Sequence, residues 1–118
     1  MAADAPSDWA LTVRPNRDRN VYEFLEPVVL ELKLTNVSGS RREVEPDLLE
    51  DGRHVAIIVQ REGGPAKKWR PFSTHCHRLD TRNLSHNASI YGAHLVGAST
   101  DGWLVDEPGY YRVQAAVT

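Results

Sequence analysis

Residues 28–35 place Val28, Leu30, Leu32 and Leu34 at every second position, between Val29, Glu31, Lys33 and Thr35. A period of two puts the three leucines on one face of an extended strand; a helix would scatter them around its axis. Pro27 before the run and Asn36-Val37-Ser38-Gly39-Ser40 after it carry strand-ending chemistry. The same alternation recurs in Trp9, Leu11 and Val13, in Val55, Ile57 and Val59, and in Tyr111, Val113, Ala115 and Val117. Shorter runs at 21–25, 42–45, 67–72 and 89–96 read as further strands. Roughly seven to nine short strands separated by Gly, Pro, Asn and Asp clusters predict an antiparallel sandwich or barrel.

No stretch has the 3.6-residue period of an amphipathic helix, and residues 46–52 have room for one short helical turn only. The expected core is Val28, Leu30, Leu32, Leu34, Val55, Ile57, Val59, Tyr111, Val113 and Ala115, with Trp9 and Trp103 added. At 118 residues the chain fits one domain with one core. Residues 1–8 read as a flexible tail and 9–118 as that domain. The apolar alternation runs up to the last residue, which suggests a domain cut from a longer chain.

A net charge of −2 argues against a nucleic-acid partner. The single cysteine, Cys76, excludes an internal disulfide. No apolar run approaches the ~20 residues of a membrane helix, and residues 1–8 lack the basic and apolar segments of a signal peptide.

Two constellations stand out as candidate sites. Lys67, Lys68, Trp69 and Arg70 set a tryptophan among three cations beside a hairpin. Partly exposed, it would serve protein recognition; otherwise it packs on an edge strand whose charges discourage aggregation. His75 and His77, about 7 Å apart on one face of a strand, could supply two metal ligands, with His54, His86 or His94 as a third. The alternative is solvated loop histidines. A blue-copper centre lacks its methionine, since Met1 is the only one. No Gly-x-Ser-x-Gly elbow marks a nucleophilic enzyme, and Cys76 reads as a small apolar residue. The expectation is a chain without catalytic residues or cofactor.

Glu107-Pro108-Gly109-Tyr110-Tyr111-Arg112-Val113 resembles the entry to the penultimate strand of immunoglobulin-like domains. The wider frame of Tyr22, Pro27, Asn36, Leu84, Ile90 and Gly102-Trp103-Leu104-Val105 is similar to bacterial immunoglobulin-like and fibronectin-type-III-like modules. The intracellular proteinase inhibitor domain shares that outline. The resemblance implies an immunoglobulin-like antiparallel β-sandwich. In it Tyr111 is the corner tyrosine, its hydroxyl bonding back to the upstream backbone, and Val113 stands where a cysteine would. Whether residues 110–117 form the penultimate or the last strand stays open. The resemblance also implies a non-catalytic binding or structural module of a bacterial envelope or secreted protein. Its partners would be other domains of the parent chain or a separate protein. A proteinase inhibitor presenting residues 61–68 or 99–102, or a His-x-His metal binder, are the alternatives.

Overall fold

The computed structural model describes residues 7–24, 26–50, 54–71 and 81–117. Among these the chain is all-β, with ten strands in four small antiparallel sheets and no helix. One three-stranded sheet has the order β1 (Trp9–Pro15), β2 (Val29–Asn36), β7 (Ser89–Leu95); the other has β10 (Tyr111–Val117), β4 (Val55–Arg61), β5 (Ala66–Lys68). Two short pairs complete it: β3 (Arg42–Val44) with β6 (Arg82–Leu84), and β8 (Ala98–Ser99) with β9 (Gly102–Trp103).

The alternation in β2 does what its period predicts. Leu30, Leu32 and Leu34 are buried, and Lys33 between them is exposed. Each such leucine contributes on the order of 1.5–3 kcal/mol by leaving water. In β4, Val55, Ile57 and Val59 are buried in the same way. The buried residues of both three-stranded sheets belong to one core cluster, against which Val28, Trp9, Leu11, Tyr111, Val113, Ala115 and Val117 pack half-buried.

Several sequence expectations are corrected. Trp103 is 61% exposed, while its neighbour Leu104 enters the core. Pairing with Ala98 in the β8–β9 hairpin sets the phase, so the tryptophan turns outward. Residues 21–24 form no strand. Arg17 instead gathers that loop, lying 4.1 Å from the Tyr22 ring centroid and 2.6 Å from Glu26, while the Glu26 amide bonds Glu23 O in a turn. Residues 46–50 form turns, with Leu48 N–H donating to Glu45 O and Glu50 N–H to Asp47 O. Asp8, assigned to the tail, extends the β1–β2 ladder by accepting from Val37 N–H at 2.8 Å.

The core reaches beyond the alternating strands. Leu49, in the turn before β4, is fully buried, and so is Val96 after β7. Asn36 ends β2 without leaving the interior. Its Nδ2 donates to Ser40 O and Leu84 O, both at 2.8 Å, and its Oδ1 accepts from Ser38 N–H.

Candidate functional site

The cationic stretch divides into two environments. Lys67 and Lys68 lie on β5, opposite Val59 and Ile58, and both are exposed at the sheet margin. Trp69 continues the same register, its N–H donating to Ile57 O at 2.8 Å, and its side chain turns into the core at 6% exposure. Of the two readings the charged neighbours left for Trp69, partial exposure and packing beside an edge strand, its burial fits the second. The indole N–H lies 2.9 Å from Leu95 O and 3.1 Å from Ala98 O, so one donor ties the β4–β5 sheet to the end of β7 and the start of β8. Two carbonyls satisfy the only polar atom of the ring, which makes its burial inexpensive. Arg70 points outward to Asp101 at 2.9 Å, and Thr100 N–H donates to Arg70 O. Lys67, Lys68 and Arg70 thus remain surface groups, with Trp69 as their buried anchor.

His75 and His77, with Cys76, lie outside the described residues. The three other histidines are separately engaged. His94 packs against Trp69 with ring centroids 4.9 Å apart, and its Nε2 is 2.6 Å from Leu49 O. A carbonyl only accepts, so Nε2 carries the proton. His86 Nδ1 accepts from Gly39 N–H, and His54 stands 3.7 Å from Glu45. No group of three metal-ligating side chains occurs among the described residues.

A second polar cluster surrounds the start of β10. The Tyr111 hydroxyl donates to Glu107 O at 2.7 Å. Arg61 holds the same turn from β4: its Nη2 donates to Pro108 O, and its Nη1 pairs with the Glu107 carboxylate, both at 2.9 Å. Glu62 N–H donates to Tyr110 O. Gly109 has φ 155°, and a Cβ there would stand 2.9 Å from Arg61 Nε. A shallow depression of about 390 Å³ lies over this corner, with Tyr110 and Arg112 among its walls. The 61–68 segment is a tight hairpin closed by Gly64 N–H to Arg61 O.

The larger opening mixes apolar walls with Ser7, Glu43, Glu45 and His54. A cleft of about 560 Å³ lies where Trp9 and Leu11 of β1 meet Val117 of β10, with Leu34 and Leu48 deeper in its lining. No local run of residues marks it, because it arises from two strands that the chain separates by about a hundred residues. What the sequence does contain is the apolar alternation on both strands.

No protein-family model, curated protein or solved structure matches the chain. Among the described residues, no helix is long and apolar enough to cross a membrane.

Proposed function

We propose that this chain is an immunoglobulin-like β-sandwich module that works by holding or positioning other protein, without chemistry of its own. The single observation that carries this reading is the Tyr111–Glu107 bond set in its topological place. That fold plan arranges strands A, B, E and D in one sheet and C, F and G in the other, with a corner tyrosine at the start of F bonding back a few residues upstream. The orders β1-β2-β7 and β10-β4-β5 support this reading as its A-B-E and F-C portions, with β10 in the role of F, and Tyr111 is the first residue of β10. Folds of this plan host many functions, so the partner has to come from surfaces rather than from the plan.

Two measurements test the reading. Urea unfolding followed by far-ultraviolet circular dichroism and by tryptophan fluorescence should give coincident transitions and a β-type spectrum, as one shared core requires. A helical spectrum or separated transitions would overturn it. Inhibition of any member of a serine-protease panel at micromolar protein would replace the module by an inhibitor.

A further inference from the structure

The two ends of the strands differ in what their connections expose. Trp9, Leu34 and Val117 line one cleft, so the Asn36 end of β2 and the Val55 end of β4 lie together. Pro15, Val29 and Leu95 mark the opposite end of the first sheet. There the connection after β1 and the one after β7 meet. Val96 N–H donates to Val28 O, and a Cβ built on Gly97 would stand 3.8 Å from Val28 Cβ. Gly97 O in turn accepts from Leu104 and Val105 N–H, which fixes the β8–β9 hairpin beside the 16–28 connection.

These two connections hold Val21, Phe24 and Trp103, exposed at 68%, 64% and 61%. In the connections at the other end, Val37 is the one large apolar side chain exposed among the described residues. Large rings kept in water on adjoining loops mark a surface built for contact.

The charge on the same loops is one-sided. Glu26, Asp101 and Glu107 are answered by Arg17, Arg70 and Arg61. Asp18, Glu23 and Asp106 are exposed, and their carboxylates have no partner among the described residues; Arg19 is the one cation in these connections left equally free. Lys67, Lys68 and Arg112 belong to the other sheet. An anionic lipid surface would be repelled by this balance, and a cation attracted.

The loop already performs the corresponding recognition once. Arg17 lies 4.1 Å from the Tyr22 ring centroid while its Nη1 meets Glu26 at 2.6 Å. A guanidinium is held there by a ring face and a carboxylate together, the two groups that best suit it. Phe24 beside Glu23, and Trp103 three residues before Asp106, offer the same two groups with no internal cation upon them.

We infer that residues 17–24 and 101–106 form a docking surface for a cationic protein segment, an extended stretch in which arginine or lysine recurs among small residues. This rests on the module reading and supplies its class of partner. Cationic heads take the free carboxylates, and their aliphatic stems cover Val21 and the ring faces.

Titration of the nitrogen-15-labelled full chain with a peptide of alternating Arg and Gly, about twelve residues long, tests this. Amide signals of 17–24 and 97–106 should move and saturate below about 1 mM, while those of 37–40 and 85–88 stay still. The matching Glu-Gly peptide should move none. Phe24→Ser, Trp103→Ser and Asp106→Asn should each weaken binding by roughly two- to fivefold, with the circular dichroism spectrum unchanged. Glu43→Gln, exposed at the other end, should bind as the wild type does. An absence of saturable shifts, shifts spread over both ends, or Phe24 and Trp103 variants as tight as wild type overturns the proposal. Binding of phosphatidylcholine vesicles without binding of the peptide overturns it in favour of a membrane. If the peptide fails in a protein that unfolds in coincident transitions with a β-type spectrum, the module reading survives; a helical spectrum removes both.

Discussion

Leu49 lies directly against the backbone of Gly92: a Cβ built on the glycine would stand 2.7 Å from Leu49 O and 2.8 Å from Leu49 Cβ. Gly92 is opposite Leu32 in the β2–β7 ladder, so the turn before β4 is seated on the middle of β7, at the margin of that sheet. Neither contact is the end of a flexible side chain. Gly92→Ala must therefore displace the turn, together with the His94–Leu49 bond beside it. Overpacking of this kind costs about 1–3 kcal/mol. The urea midpoint should fall accordingly, and an unchanged midpoint would show that the turn is loosely held.

Tyr111→Phe isolates the corner bond, because the ring remains and only the donor to Glu107 O is lost. The acceptor is exposed and regains water, so the expected loss lies toward the low end of the ~0.5–1.5 kcal/mol range for a hydrogen bond. Arg61 still holds Pro108 O and Glu107 from the other side. Arg61→Ala combined with Tyr111→Phe should therefore cost more than the sum of the single changes, since each bond restrains the same turn. Strict additivity in a double-mutant cycle would mean that the two bonds act independently.

The strand interiors were legible because a period of two is a statement about direction. Leu30, Leu32 and Leu34 could only share a face, and one polar face fixed which side was wet. Leu49, Val96 and Leu104 carried no such signal. They lie in turns or beside two-residue strands, where burial depends on what the rest of the chain brings near. Trp103 and Leu104 show the limit: two adjacent apolar residues in a short hairpin leave the phase undetermined until the partner strand is known. Trp69 was obscured by Lys67, Lys68 and Arg70. Their charge describes the rim of the sheet and not the interior into which the next side chain turns. The corner bond of Tyr111 was legible through the Gly109-Tyr110-Tyr111 resemblance. The cleft was not, because it joins β1 to β10. His75 and His77 lie outside the described residues.

Asn36 read as a strand-ending asparagine, yet it is fully buried and makes three side-chain bonds to Ser38, Ser40 and Leu84. Asn36→Ala leaves the buried Leu84 carbonyl without its donor, which alone costs about 1–3 kcal/mol. Asn36→Asp should be worse. It keeps the acceptor for Ser38 N–H, loses both bonds donated by Nδ2, and buries a charge facing two carbonyls. A stability order of wild type, then Ala, then Asp is expected from urea titrations at neutral pH. The reverse order of the two variants would mean that water enters the site.

The Arg17–Glu26 pair gives the 16–26 loop a pH dependence. The hydrogen bond from Arg17 holds the Glu26 carboxyl below its usual range, outweighing the opposing effect of burial, and the Glu23 backbone contact adds to the lowering. A carboxyl depressed in the folded state stabilises fully above its unfolded pKa and loses that contribution as pH falls through the folded value. The loop should therefore keep its structure through neutral and mildly acidic pH and loosen only below the ordinary carboxylate range. Carbon-detected titration of the Glu26 carboxyl checks the direction, and Arg17→Ala should return it toward the ordinary value. A Glu26 that titrates at the same pH in both proteins would show that the 2.6 Å contact is not maintained in solution.

Trp69 and Trp103 differ tenfold in exposure, 6% against 61%, so fluorescence separates them. In Trp103→Phe the emission should shift blue and acrylamide quenching should fall, because the most exposed indole is gone. In Trp69→Phe the remaining emission should shift red and quench more readily. Trp69→Phe also strands Leu95 O and Ala98 O, which shared the indole N–H, while most of the ring volume stays. Its stability loss should fall below the ~3–5 kcal/mol expected of Trp69→Ala, which empties the space beside His94 as well. Were Trp69 a surface recognition residue instead, Trp69→Ala would leave the unfolding midpoint within about 0.5 kcal/mol of wild type, and the indole would quench as readily as that of Trp103.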